Sequence, residues 1–226
     1  MIKNGVGKGI HVGLIPDGNR RFALRNKKLP WEGHLEGTQR IKDFLNWCLE
    51  YPEIKRISIY ALSTENLNRS QDELDALWKI YKEELGQILS DPVIKEKGVK
   101  VRVLGNDTMW RPDVKEVVKE VSNSTKQYSK HILNIMLAYG SNFELSNAVK
   151  NVIKKPFATI DRHLLVKEPL DLVIRTGGQR RLSNFMLYQA SYAELYFTDT
   201  LWPAFTKKEF DKIIDWYHLQ KKKFGK

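Results

Sequence analysis

Three short polar clusters carry the residue types that could do chemistry. Asp17–Gly18–Asn19–Arg20–Arg21 puts an acid, a glycine, an amide and two guanidinium groups in one run. Ser63–Thr64–Glu65–Asn66–Leu67–Asn68–Arg69 adds hydroxyls, amides and an arginine. Arg175–Thr176–Gly177–Gly178–Gln179–Arg180–Arg181 sets further arginines beside a glycine pair. Guanidinium forks bind paired oxygens, hydroxyls donate hydrogen bonds, and glycines let backbone N–H groups come close. Together these are the parts of a phosphate or diphosphate cradle. Each run alone also reads as an ordinary turn or capped loop; the recurrence of one chemistry in three places is what points to a site.

Asp17 is the odd member, because a carboxylate repels a bare diphosphate. A bridging Mg²⁺ resolves the conflict, since that ion takes one or two carboxylates plus substrate phosphate oxygens. The alternative is an Asp17–arginine ion pair with no metal. Glu194, in SYAELYF, is an acid in an otherwise apolar and aromatic run. It reads either as a second metal-site acid or as an arginine partner.

Neither GxGxxG nor GxxxxGK[ST] occurs, so the dinucleotide and P-loop fingerprints do not apply. The 226 residues are 42% hydrophobic and 11% aromatic, which suits one folded domain over 1–226. The formal charge of +11 favours a polyanionic partner or reflects a solvated, lysine-rich surface. A nucleic-acid reader would need basic residues interleaved with exposed aromatics. Here the aromatics fall mainly on inward faces, so no nucleic-acid partner is expected. Cys48 is the single cysteine, which excludes a disulfide within the chain and a cysteine metal cage. MIKNGVGKG has no apolar signal core, and no apolar run reaches a membrane-spanning length. The expected location is cytoplasmic, with room for peripheral contact at a membrane.

The elements that must position the clusters alternate. Ile10–Ile15, Arg56–Leu62, Val99–Leu104, Ile132–Ala138 and Leu170–Ile174 are apolar at nearly every position, as strands covered on both faces are. Gly33–Glu50 repeats Ile41, Phe44, Leu45, Cys48 and Leu49 at helical spacing and stops before Pro52. Ser70 to Glu73 reads as a capping box opening a helix that turns Leu74, Leu77, Tyr81, Leu85 and Ile88 inward. Val114, Val117, Val118 and Val121 mark another helix, and Leu145, Ala148, Val149 and Val152 the next. Asp161–Val166 suggests a short helical turn, and Thr206 an N-cap for Lys207–Lys222 with Phe210, Ile213, Ile214 and Tyr217 inside. Strand and helix in one series predict an α/β domain with a mostly parallel sheet flanked by helices. Ligands of such sheets bind beyond the carboxyl ends of the strands, where all three polar clusters fall.

The blocks HVGLIPDGNRRFA, ALSTENLNRS and DLVIRTGGQRRLSNFMLYQASYAELYFTDTLWP, with the tail KKKFGK, resemble the cis-prenyltransferases nearly from end to end. These are the undecaprenyl and dehydrodolichyl diphosphate synthases. The resemblance implies an α/β homodimer with a hydrophobic tunnel. It also implies Mg²⁺-dependent condensation of isopentenyl diphosphate with an allylic diphosphate of farnesyl or geranylgeranyl type. By resemblance, Asp17 holds Mg²⁺ and Asn66 serves the proton-abstraction step. Gly18, Asn19, Arg20, Arg21, Phe22 and His34 bind the allylic diphosphate. Ser63, Thr64, Glu65, Leu67 and Arg69 line the same site. Arg175, Arg181, Leu182 and Ser183 hold isopentenyl diphosphate, and Glu194 joins the metal site. The sequence departs from the bacterial pattern at Arg20, Pro30, Leu67, Gln179 and Arg180. Its ending, Lys223–Phe224–Gly225, resembles the family's Arg-x-Gly tail with lysine first. A long-chain Z-polyprenyl diphosphate is the expected product. A short-chain product and a non-catalytic partner subunit are the alternatives, and retention of Asp17, Asn66, Arg175, Arg181 and Ser183 argues against the latter.

Overall fold

The computed structural model describes residues 9–154 and 159–220. Its centre is a six-stranded, wholly parallel sheet in the order β3-β4-β2-β1-β5-β6. The strands are β1 (Ile10–Ile15), β2 (Ile54–Ser63), β3 (Val99–Leu104), β4 (His131–Tyr139), β5 (Leu172–Arg175) and β6 (Glu194–Phe197). The order runs one way from β1 through β2 and the other way through β5, so the chain's direction of winding reverses at the β1/β5 seam. Such a reversal leaves a crevice at the carboxyl ends. Ile15 pairs with Arg175 there, which brings the first and third polar clusters together.

Helices cover both faces. The longest are α2 (Pro30–Glu50) and α3 (Gln71–Ile88), preceded by the short α1 (Asn19–Arg25). The rest are α4 (Pro92–Glu96), α5 (Pro112–Thr125), α6 (Ser141–Lys154) and α7 (Lys207–Leu219). One apolar cluster joins Ile57, Ile59, Leu133 and Leu137 of the sheet to Phe44, Leu77, Val114 and Phe210. A second packs Tyr60, Met136 and Val173 against Phe185 and Met186. Alternate residues of β2 and β4 thus feed different cores, which is why both strands are apolar almost throughout. Cys48 lies fully buried in the first cluster, as expected.

Several sequence expectations differ from the fold. α1 and β6 were not expected; α1 is too short and basic to show a period, and β6 directly follows an irregular loop. α2 begins three residues before Gly33, with Pro30 at its first turn. Ser70 stands at the start of α3 without a side-chain cap, and Glu73 turns to two arginines rather than back to the Ser70 N–H, so the expected capping box does not form. Val149 is 42% exposed, since α6 turns Ser141, Glu144 and Ala148 inward instead. The turn expected at Asp161–Val166 is a 3₁₀ turn at Ile160–His163. Thr206 does cap α7, accepting from the Glu209 N–H at 3.3 Å; the expected end at Lys222 and the tail Lys223–Phe224–Gly225 lie outside the described residues.

A buried polar chain crosses the sheet. His11 Nδ1 faces the Pro169 carbonyl at 3.0 Å, which accepts only, so Nδ1 carries the proton and Nε2 accepts from Ser58 Oγ at 2.8 Å. Asn134 Nδ2 donates to the same Ser58 oxygen at 2.9 Å. Burial, with a smaller push from Arg56, lowers the His11 pKa from 6.5 to about 4 against the pull of the Pro169 bond. Between those values the unfolded chain binds a proton that the folded chain does not, so stability rises with pH across the window and is lost as pH falls from 6.5 towards 4. Melting at pH 7.5 and pH 5 should therefore show a drop in Tm on acidification, reflecting on the order of 2 kcal/mol at most. The drop should be smaller in His11→Gln; an equal drop in both chains contradicts the assignment.

Candidate active site

Pro16 ends β1, and the chain turns at Gly18, whose φ of 112° is a left-handed conformation suited to glycine. α1 then starts at Asn19. Its first ladder bond runs from the Phe22 N–H to the Gly18 carbonyl, leaving the N–H groups of Asn19, Arg20 and Arg21 without helical partners. α1 lies directly on α2 because Gly33 and Gly37 have no side chains: a Cβ at Gly33 would collide with the Asn19 carbonyl, and one at Gly37 with Asn19 Oδ1. Asn19 Nδ2 donates to the Pro16 carbonyl at 3.0 Å, while its buried Oδ1 has no partner.

Asp17 sits between two arginines. Its Oδ2 is 2.8 Å from Arg175 Nη2 and its Oδ1 3.4 Å from Arg21 Nη2. Arg175, the last residue of β5, is almost wholly buried. It also donates to Ser183 Oγ at 2.8 Å and to the Arg181 carbonyl, and its buried Nε has no partner. Two segments close on the Asp17 backbone: Thr176 Oγ1, just after β5, donates to the Asp17 carbonyl at 2.8 Å, and so does the Trp202 N–H, from the segment after β6, at 3.1 Å. Gly177, at φ 81°, leaves room where a Cβ would come within 2.6 Å of Arg21 Nη2. The Gly177 and Gly178 N–H groups bond Thr200 and Thr198 carbonyls, so this glycine pair serves loop packing rather than offering free donors to an anion.

The second cluster faces the first across the crevice. Ser63 and Asn66 bond reciprocally: the Ser63 N–H donates to Asn66 Oδ1 at 3.3 Å and the Asn66 N–H to Ser63 Oγ at 3.1 Å. Glu65 accepts from Asn184 Nδ2 at 2.8 Å. Burial works to raise its carboxyl, but that bond and those from its own backbone, Ser63 and Thr64 outweigh it and hold the pKa below the ordinary value. Arg69 Nη1 reaches the nearly buried Glu73 at 2.9 Å and His34 Nε2 at 3.3 Å, and Arg20 Nε meets the same Glu73 oxygen at 3.5 Å. Because Arg69 can only donate, His34 accepts through Nε2 and carries its proton on Nδ1. Burial, helped by Arg69 and Arg20, lowers its pKa from 6.5 to about 4.

These residues surround a cleft of about 830 Å³. Asp17, Gly18, Asn19, Arg20, Arg21, His34, Ser63, Glu65, Asn66, Arg69, Arg175, Arg181 and Ser183 all line it. Five guanidinium groups face two lining carboxylates, Asp17 and Glu65, an excess that favours an anion of more than one phosphate. Five sequence candidates are not brought to it. Phe22 and Thr64 do not line the cleft. Leu67 and Leu182 pack against the two apolar clusters, because their side chains leave the loops inward. Glu194 opens β6 level with Leu172, at the opposite end of the parallel sheet from Asp17, so it cannot share a metal with Asp17 of its own chain. Sequence reasoning missed Glu73, hidden by its fit to a capping pattern, and Asn184, whose signal was only an amide beside a serine. Ser183 and Asn184 have φ of 49° and 65°, a strained bend that folds them over the cleft.

The cleft opens into an apolar tunnel of about 380 Å³ between α2, α3 and the sheet. Pro16, Asn19, His34, Ala61 and Tyr81 line both spaces and form the junction. Ile41 and Leu45 of α2, Leu77 and Leu85 of α3, and Ile59, Leu133 and Leu137 of the sheet make the walls. The arrangement accepts a polyanionic head and an apolar tail in one molecule. For a metal, the described residues hold no cluster of three acid, histidine or cysteine ligands. Of the two lining carboxylates, Asp17 lies against Arg21 and Arg175, whereas Glu65 is bonded to Asn184. That donor set fits Mg²⁺, which readily uses one carboxylate with phosphate oxygens and water.

A model of the undecaprenyl diphosphate synthase family matches residues 15–225. The tritrans,polycis-undecaprenyl-diphosphate synthase (geranylgeranyl-diphosphate specific) of Pyrococcus horikoshii is 39% identical, over 96% of this chain and 86% of that one. The protein of the same name from Pyrobaculum aerophilum is 36% identical, over 96% and 95%. Lavandulyl diphosphate synthase from Lavandula x intermedia, solved with dimethylallyl diphosphate, superposes with a TM-score of 0.90 at 26% identity, covering 96% of this chain and 98% of that chain. A probable undecaprenyl diphosphate synthase from Campylobacter jejuni gives 0.82 at 30% identity, covering 97% and 99%.

The His34 tautomer and its lowered pKa are open to test. In an NMR titration the ring should stay neutral through pH 5.5 and change only near pH 4. A midpoint near 6.5 would mean that the ring is neither buried nor held beside Arg69 as described.

Proposed function

The chain belongs to the undecaprenyl diphosphate synthase family, the cis-prenyltransferases, and on that premise we propose that it joins isopentenyl diphosphate to an allylic diphosphate of geranylgeranyl type, giving a Z-polyprenyl diphosphate of undecaprenyl length. The observation that carries this reading is the continuity of an arginine-lined cleft with an apolar tunnel at Pro16, His34, Ala61 and Tyr81. The names of the archaeal relatives support the primer and the product.

In the reaction an allylic C–O bond breaks, a carbon–carbon bond forms from the isopentenyl double bond, one proton is lost and inorganic diphosphate is released. Arg20, Arg21, Arg69 and the neutral His34 bind the allylic diphosphate with its tail in the tunnel. Arg175, Arg181 and Ser183 bind the second diphosphate. Arg21 and Arg175 already share Asp17, so the two diphosphates meet on either side of one carboxylate. Guanidinium groups placed where negative charge grows on the departing oxygen lower the barrier without reorganising. Holding both reactants side by side removes much of the entropic cost. Asp17 is the residue to hold Mg²⁺, which when bound neutralises the departing diphosphate. Asn66, fixed by its reciprocal bonds with Ser63, orients the carbon that loses its proton.

A short-chain product is the second reading, supported by the close superposition on lavandulyl diphosphate synthase. A homodimer belongs to the same proposal. β6 is an edge strand, and Leu195 on it is exposed, as are Tyr192, Tyr188 and Leu187 in the preceding loop. No helix among the described residues is long and apolar enough to cross a membrane, and peripheral contact would let an apolar product leave into lipid.

The test is incubation with labelled isopentenyl diphosphate and ten-, fifteen- or twenty-carbon primers, with and without Mg²⁺, followed by sizing of the products. Metal-dependent incorporation with the twenty-carbon primer favoured is expected. Asp17→Ala should lower incorporation by roughly 10²-fold or more; full activity in that variant ends the mechanism.

A further inference from the structure

We propose that the growing tail leaves the tunnel sideways, through the seam between α2 and α3, and that Lys42 is the gate of that exit. The inference rests on the prenyl-transfer reading above. The tunnel is apolar along its length but polar at its far end, where Lys42, Glu84, Gln87, Ser90 and Asp91 line it. Lys42 lies two turns beyond His34 on α2, about 12 Å along the helix axis from the junction with the cleft. Its Nζ is 3.0 Å from Glu84 Oε2 and 2.5 Å from Gln87 Oε1, so one side chain of α2 ties across to two of α3. Gln87 and Ser90 are exposed at the surface, so the far end of the tunnel comes out to solvent there.

Straight ahead the way is different. Beyond Leu45, Ile94 and Leu133 the space narrows to an annex of about 40 Å³, which Lys42 and Asp91 also line and which is backed by the buried strand residues Ile57 and Val99. Ile57 and Val99 belong to the main apolar core, and a close-packed back wall of that kind does not part for a ligand. The Lys42–Glu84 pair is partly exposed, with side chains 37% and 25% accessible, and such pairs are weak. The lysine stem is flexible and can lie along apolar surface while its ammonium stays in water. An advancing tail therefore meets a firm floor ahead and a yielding bridge at the side. Past the bridge each further unit enters water, which opposes growth. Lys42 thus acts as a specificity-determining residue for product length.

Two measurements decide it. With saturating isopentenyl diphosphate, Lys42→Ala should lengthen the commonest product by at least one isoprene unit and Lys42→Trp should shorten it, with the rate of the first condensation within twofold of the native chain. Unchanged product lengths at an intact first condensation overturn the gate while leaving prenyl transfer standing. The second measurement needs no turnover. An n-alkyl diphosphate with a terminal diazirine, long enough to pass Lys42, is photolysed on the native chain and the labelled peptides are mapped. Labels at Lys42, Gln87 or Ser90 support the side exit. Labels at Leu49, Ile57 or Val99, or none along the tunnel, overturn it. Labelling of the seam without any incorporation of isopentenyl diphosphate would sink the prenyl-transfer reading instead.

Discussion

The ion pair between Asp17 and Arg175 is the contact on which the site depends. Arg175 is nearly out of reach of solvent, and a buried guanidinium without a counter-charge is strongly destabilising. The sheet supplies that counter-charge by register: β1 and β5 pair Ile15 with Arg175, and the acid follows two residues later. Thr176, directly after β5, and Trp202, in the segment after β6, then bind the Asp17 carbonyl, so both the backbone and the side chain of the acid are fixed. Arg21 and Ser183 fall into place around this centre because α1 and the bend at Ser183–Asn184 start from its two ends.

The same sheet explains why a charged cleft and an oily tunnel can share a wall. Side chains alternate across a strand, so β2 sends Ile59 and Ala61 to the tunnel and Ser58 and Tyr60 to the other face. Ala61 at the junction is small, and the Tyr81 hydroxyl satisfies its carbonyl at 2.6 Å, which leaves an apolar doorway with no orphaned backbone group. The arginines gather at the carboxyl ends of the strands, with Arg175 closing β5, Arg20 and Arg21 in the first turn of α1, and Arg69 and Arg181 in loops, and all five line the cleft. Depth along the strand thus becomes a polarity gradient.

Much of this was legible beforehand. The strands showed because burial on both faces demands apolar residues almost throughout, and β1 and β3 match their expected bounds. The polar clusters showed because arginine, glycine and hydroxyl residues recur at strand ends. What stayed hidden was geometry that depends on partners far along the chain. Glu73 satisfied a local capping pattern, yet Arg20 and Arg69 claim it, since burying an acid beside two cations outweighs one helix-end bond. Glu194 looked like a metal acid by family position, but parallel pairing of β6 with β5 fixes it at the far end of the sheet. No periodicity within SYAELYF could reveal that.

Gly33 and Gly37 have a consequence of a different kind. Where most helices meet, a layer of side chains lies between them and absorbs amino-acid replacements by shifting rotamers. α1 rests on bare α2 backbone at these two positions, its Asn19 carbonyl against Gly33 and its Asn19 side-chain amide against Gly37, so that cushion is missing on the α2 side. The inner edge of α2 is accordingly closed to sequence drift, whereas its outer edge, which carries Leu35 and Gln39, is open to it. Any library built to retune the enzyme has a forbidden stripe and a permissive stripe along a single helix.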